Sequence, residues 1–309
     1  MRELAERVHA EVGKVVVGQQ ETVERLLAAA VVGGHVLLEG PPGTAKTLLA
    51  NALARALDVD FRRVQFTPDM LPSDLTGTTA LRGGELVFRP GPVFTNVLLA
   101  DEINRTPPKT QAALLEAMQE RQVSIDGETH PLRSPFLVLA TQNPIEYEGT
   151  YPLPEAQLDR FLFKLDLGYL PESEEIAILR LAHRGVAPPS LDAVQAVVRA
   201  DELESVRQSV DATTVSDEVV AFVVALVRRT RELPAVELGA SPRAAVHLLA
   251  AARALARLAG RDFVTPDDVV DAARPVLRHR LVLRPEAELE RYTAADAVEA
   301  ALAAVPVPR

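Results

Sequence analysis

Cysteine and tryptophan are absent from the sequence, and aromatic residues make up only 4% of it. Without cysteine there are no disulfides, no thiol nucleophile and no Cys-ligated metal site. The shortage of rings leaves the core to Ala, Leu and Val, which suits helices packed on a sheet. Missing too is any stretch of about 18 uncharged apolar residues, the length a membrane-crossing helix needs. Met1–Arg7 carries charges where a secretory signal needs an apolar run, so a soluble, cytoplasmic chain is the expectation. Nor is there an excess of basic residues. The net charge is −10, which repels phosphate backbones and disfavours bulk nucleic-acid binding. The six histidines show no metal-ligand spacing. His247 and His279 sit among apolar helical neighbours, where a structural histidine is the expected reading.

What is present is an apolar content of 48% in 309 residues, enough for a sizeable core in one large or two ordinary domains. Residues 1–34 read as two helices joined by a short turn at Val15–Gln19. Five short apolar runs follow: His35–Glu39, Phe61–Phe66, Val97–Asp101, Phe136–Thr141 and Phe163–Leu167. They alternate with helical patterns such as Thr47–Leu57 and Lys109–Arg121. That rhythm predicts a parallel five-stranded sheet flanked by helices, an α/β class. Two hairpins interrupt it, Thr78–Arg89 turning at Arg82-Gly83-Gly84-Glu85 and Gln122–Leu132 turning at Asp126-Gly127. After Leu170-Pro171 strand signals vanish. Residues 1–170 are therefore expected to form the α/β core and 171–309 a small all-helical domain. Ser241-Pro242 and Thr265-Pro266 mark helix starts, with a capping residue before a proline.

Gly40-Pro41-Pro42-Gly43-Thr44-Ala45-Lys46-Thr47 follows the first predicted strand and opens a helix, the context a phosphate-binding loop requires. Backbone amides and the helix amino terminus converge there on phosphate oxygens. Pro42, Gly43, Thr44, Ala45, Lys46, Thr47 and Leu48 are the candidate nucleotide contacts. Lys46 reaches the outer phosphates and the Thr47 hydroxyl ligates magnesium. The general pattern has Gly where Ala45 stands. Val97-Leu98-Leu99-Ala100-Asp101-Glu102 is an apolar strand ending in two acids at the end where such folds bind ligands. Asp101 is the second candidate magnesium ligand, acting through a water, and Glu102 the base for the attacking water. Asn143, Arg160 and Arg243 fit supporting roles in positioning and charge neutralisation, which phosphoryl transfer needs more than covalent chemistry. A lone arginine is usually a solvated surface group.

Together these residues resemble the AAA+ superfamily and specifically its MoxR family, over nearly the whole chain. The pieces that carry the resemblance are residues 40–47, Leu98–Arg105, Ala-Thr-Gln-Asn-Pro (140–144), Glu-Ala-Gln-Leu-Asp-Arg-Phe (155–161), Ser-Pro-Arg (241–243) and Leu-Arg-His-Arg (277–280). Ala45 is usual in that family. The resemblance implies an AAA+ core followed by a helical lid, with ATP and Mg2+ as cofactors. It makes Asn143 the sensor-1 residue, Arg243 the sensor-2 residue and Arg160 an arginine finger reaching a neighbour's ATP in a ring, usually a hexamer. Val17 and Gly18 match the segment lining the adenine pocket, and Gln65 the position linking nucleotide state to partner contacts. The hairpins correspond to inserts facing the ring pore or top. The implied function is that of an ATP-driven chaperone assisting assembly, activation or metal or cofactor insertion of a client protein complex, with a von Willebrand factor A domain protein as partner. A magnesium-chelatase-type ATPase subunit, a nucleic-acid motor and a non-hydrolysing nucleotide-dependent scaffold are the competing readings.

Overall fold

The computed structural model describes residues 1–143, 149–182 and 191–308. Pro144, the last residue of the Ala-Thr-Gln-Asn-Pro run, and 183–190 of the carboxy-terminal part lie outside the described residues. Helix α1 (Arg2–Val12) buries Leu4, Ala5, Val8 and Val12 as a single stripe. Helix α2 (Gln20–Val32) is different. Arg25 through Val31 are all buried, so it is covered on every side. It ends at Gly33, whose φ of 69° closes the helix in the left-handed conformation glycine adopts without strain.

Strand β1 (Val36–Glu39) has Val36, Leu37 and Leu38 fully buried, as a parallel strand covered on both faces should be. Helix α3 (Lys46–Ala56) leads to β2 (Phe61–Gln65). A short helix α4 (Pro72–Thr76) precedes the hairpin β3 (Gly77–Arg82) and β4 (Glu85–Pro90). Strand β5 (Val97–Asp101) and helix α5 (Pro108–Glu120) come next, then the hairpin β6 (Gln122–Ile125) and β7 (Glu128–Pro131). Strand β8 (Leu137–Gln142), the one-turn helix α6 (Glu155–Leu158) and β9 (Phe163–Asp166) complete the core. The sheet order is β2-β5-β8-β1-β9 and every pairing is parallel. All five strands therefore end on one edge, which brings Glu39, Gln65, Asp101 and Gln142 together.

Both inserts are hairpins with two-residue tips. Gly83-Gly84 and Asp126-Gly127 all have positive φ, the geometry that matches the twist of the paired strands. Phe88 of β4 stacks on His130 of β7 with ring centroids 4.0 Å apart, so the two inserts touch each other.

The carboxy-terminal part contains α7 (Glu172–Ala182), α8 (Ala200–Asp211), α9 (Asp217–Thr230), α10 (Pro242–Leu258), α11 (Pro266–Leu277), α12 (Pro285–Leu289) and α13 (Ala294–Ala304). It is not all helical. Strands β10 (Val236–Leu238) and β11 (Val282–Leu283) pair antiparallel. Runs of three and two residues are too short to show a period of two, which is why the sequence pattern hides them. The helix starts are as expected: the Ser241 side chain accepts from the Ala244 amide, and Thr265 forms a capping box with Asp268. Helices α8 to α11 and α13 share one hydrophobic core with α1 to α3 and one face of the sheet. Helix α5, with Leu75 of α4 and Val123 of the second insert, covers the other face.

Candidate functional site

The loop after β1 closes over its own backbone. Gly40 passes so close to the β9 exit that a Cβ there would stand 2.2 Å from the Leu167 carbonyl oxygen. Gly43 is required for another reason: a side chain there would meet nothing within 4 Å, but its φ is 85°. Ala45 caps α3 with φ 60°, the left-handed conformation that explains glycine at this place in the general pattern. The Lys46 ammonium donates to the carbonyl oxygens of Gly40 (2.7 Å) and Pro41 (2.9 Å) and to the Thr44 hydroxyl (3.3 Å). Burial lowers its pKa, while the carboxylates of Asp101 and Glu102 act in the opposite direction.

A cleft of about 360 Å3 lies above this loop at the strand ends. Pro42 through Leu48 line one side and Asp101, Glu102 and Asn143 the other. The amino terminus of α3 opens onto it, so free backbone amides face the place where an anion would sit.

The acids are held by a network. The Thr141 hydroxyl donates to Asp101 Oδ1 at 2.6 Å and accepts the Glu102 amide at 2.9 Å. Arg63 donates to Asp101 Oδ2 through Nε (3.0 Å) and Nη2 (2.7 Å). Glu102 has φ 59°, a strained conformation for a residue with a Cβ. Its carboxylate accepts from the Gln65 amide at 2.8 Å and pairs with Arg105 at 3.2 Å. Thr141, Arg63 and Arg105 are not among the candidate residues read from the sequence. Thr141 lies inside the run at 140–144 and Arg105 ends the run at 98–105; nothing local distinguishes Arg63.

Thr47 and Asp101 face the same cleft, and the donor set suits Mg2+. That ion needs one or two protein oxygens and takes the rest of its octahedron from phosphates and water. A dedicated cage is not required, and among the described residues no group of three or more His, Asp or Glu forms one.

Four candidates do not line this cleft. A side chain at Gly18 would meet the Glu174 carboxylate and Leu170, so Val17-Gly18 lies beside the start of α7. Leu167, which touches Gly40, and Leu170 bracket the connector between the two places. Arg160 and Arg243 instead share a cavity of about 190 Å3 with Arg121 and His247. Asp159 accounts for the grouping. Its carboxylate accepts from Arg280 Nε (2.8 Å) and the Ser241 hydroxyl (3.0 Å), and Arg243 lies 3.8 Å away. The residue next to Arg160 thus pins the start of α10.

His35, His247 and His279 are structural. His35 Nδ1 accepts the Val138 amide, which places the proton on Nε2 for donation to the Met118 carbonyl. Burial holds its pKa at about 4. His247 Nδ1 faces Arg280 Nη2 at 2.5 Å, and His279 Nε2 faces the Phe161 carbonyl at 3.1 Å; burial lowers both pKa values.

With this geometry in place, residues 35–163 match the family model for "ATPase family associated with various cellular activities (AAA)", and residues 228–301 match "AAA lid domain". The chain is 46% identical to Chaperone MoxR1 of Mycobacterium tuberculosis, over 98% of this chain and 82% of that protein. It is 46% identical to YeaC of Bacillus subtilis, covering 96% and 92% respectively. Protein MoxR of Paracoccus denitrificans is 35% identical, with coverage of 95% and 93%. A crystal structure of a Cytophaga hutchinsonii protein superposes with a TM-score of 0.92 at 44% identity, over all of this chain and 96% of the other.

Proposed function

The chain belongs to the MoxR family of AAA+ ATPases, and on that premise we propose that it binds ATP with Mg2+ in the cleft at the strand ends and hydrolyses it to ADP and phosphate. The observation that carries this reading is the meeting of Lys46, Asp101, Glu102 and Asn143 around one cleft beside the amino terminus of α3.

In this reading the amides of Pro42–Leu48 hold the phosphates and Lys46 neutralises the outer ones. When bound, Mg2+ would supply charge neutralisation to the phosphates. Thr47 and Asp101 would hold it, Asp101 through a water. Both of its carboxylate oxygens already accept hydrogen bonds, which favours outer-sphere contact. Glu102 orients the attacking water and takes its proton. Asn143 donates to the water or the γ-phosphate. Val17 and Gly18 receive the adenine, within reach of the loop along the Leu167–Leu170 connector.

Arg160 and Arg243 act on the nucleotide of a neighbouring protomer in a homo-oligomeric ring, a hexamer by resemblance to the family. Neither lines the chain's own cleft, and the separate cavity they share supports that assignment. The two hairpins, stacked through Phe88 and His130, transmit the cycle to a client protein complex. The partner is a von Willebrand factor A domain protein, and the setting is the cytoplasm. Among the described residues no helix is long and apolar enough to cross a membrane. Residues 1–170 form the motor core and 171–309 the lid.

The test is Mg2+-dependent ATP turnover by the purified chain. Lys46→Ala should lose nucleotide binding. Glu102→Gln should retain ATP while turnover drops on the order of a thousandfold, as for loss of a water-orienting group. Affinity capture with ATP-loaded Glu102→Gln should recover the partner. A wild-type chain that neither holds nor cleaves ATP in any assembly state would refute the reading.

A further inference from the structure

Arg121 follows the last residue of α5 with φ 52°, a left-handed conformation rare for arginine. From there its side chain crosses to the end of α2, where Nη2 donates to the Gly33 carbonyl at 3.1 Å. Gly33 leaves the space it occupies, because a Cβ at that position would stand 2.4 Å from Nη2. The guanidinium therefore has a fixed place, and that place lines the cavity of Arg160 and Arg243.

Three guanidinium groups converge on about 190 Å3. Among the described residues neither Arg121 nor Arg160 enters an ion pair, and Arg160 Nε is buried without a partner. Asp159, the carboxylate beside them, is taken up by Arg280 and Ser241. Glu116 and Glu120 line the adjoining groove by Arg160. His247 adds no charge, since its Nδ1 faces the Arg280 guanidinium and its ring is buried. Like charges packed this way repel one another unless an anion sits between them. A terminal phosphate in transfer spreads its charge over three equatorial oxygens, and guanidinium forks match that geometry.

We propose that Arg121 is a third catalytic arginine, which contacts the terminal phosphate of the nucleotide held by the neighbouring protomer, alongside Arg160 and Arg243. This rests on the ring-ATPase reading above and adds a residue to it. The competing role is structural, as a cap on the last turn of α2.

Mixed assemblies separate the two. Arg121→Ala should bind a fluorescent ATP analogue with unchanged affinity while kcat falls roughly ten- to a hundredfold, the worth of one charge-assisted hydrogen bond made in the transition state. Mixing Arg121→Ala with Glu102→Gln, each slow alone, should restore turnover. The first keeps an intact cleft and the second supplies Arg121 from next door. A capping role gives a lower melting temperature and no recovery on mixing, which overturns the proposal, as does an unchanged kcat. If Arg121→Ala fails to assemble, Arg121→Lys decides. It keeps the charge but not the fork, so a reduced kcat at normal melting temperature supports the assignment and a normal kcat overturns it. Absence of turnover in the wild type overturns the ATPase reading and this inference with it. Normal wild-type turnover with an active Arg121→Ala overturns this inference alone.

Discussion

The Gln65 side-chain amide donates to the Glu102 carboxylate at 2.8 Å, from the end of the edge strand β2 to the residue just past β5. It holds the proposed base on the side facing β2, with Arg105 as a second partner. A carboxylate engaged in this way is less free to orient water. Gln65→Ala should raise basal ATP turnover by roughly two- to tenfold, the equivalent of one net hydrogen bond. Partner-dependent changes in rate should shrink at the same time. Steady-state kinetics with and without the captured partner checks both, and a lower basal rate would contradict the restraining role.

Thr141 does two things with one hydroxyl. It donates to Asp101 Oδ1 and accepts the amide of Glu102, whose backbone is strained. Thr141→Val keeps the shape and removes both bonds, leaving a buried amide unpaired at a cost of about 1–3 kcal/mol. Because the strain at Glu102 is then unopposed, the acid pair should shift. The expected outcome is a higher Mg2+ requirement and a kcat reduced about tenfold or more, with the fold intact by circular dichroism. Wild-type magnesium dependence in this variant would show that the bridge is dispensable.

Much of this could be read from the chain alone where the signal is local. Val36-Leu37-Leu38 and Leu98-Leu99-Ala100 are buried on both faces, so an unbroken apolar run was sufficient to announce a central parallel strand. The loop at 40–47 announced itself through its glycines and the helix it opens. What stayed hidden depends on distant partners. Arg280 and Asp159 are 121 residues apart, yet their contact sets where Arg160 and Arg243 meet. Arg121 reads in sequence as one more surface arginine; only the approach of α2 gives it company. The pairing of Val236 with Leu283 is hidden twice over, by strands too short to show a period and by a partner far along the chain.

The two loop glycines should respond differently to a methyl group. At Gly40 a Cβ runs into the backbone of Leu167, which cannot swing aside as a side chain would. Gly40→Ala should cost about 1–3 kcal/mol of stability and lower the melting temperature. At Gly43 the space is open and only φ objects. Gly43→Ala should cost about 1–2 kcal/mol of local backbone strain, seen mainly as weaker nucleotide binding. Calorimetry and nucleotide titration on both variants separate the effects. Equal melting temperatures for the two would refute the distinction.

Stability should fall on mild acidification. His35 and His247 have pKa values held at about 4 by burial, and His279 is lowered for the same cause. In the unfolded chain a histidine titrates near 6.5. Between those values the unfolded state binds more protons, so this contribution is present above about pH 6.5 and is lost as pH falls towards about 4. Each histidine contributes a slope of about 1.4 kcal/mol per pH unit at its steepest. Urea unfolding at pH 7.5, 6.0 and 5.0 should show a falling midpoint with little change in m-value. His35→Asn tests the attribution. Its side-chain oxygen is placed to accept the Val138 amide in place of Nδ1, and it cannot titrate. The variant should therefore lose stability less steeply with acid than the wild type does. Parallel slopes would assign the pH dependence to other groups.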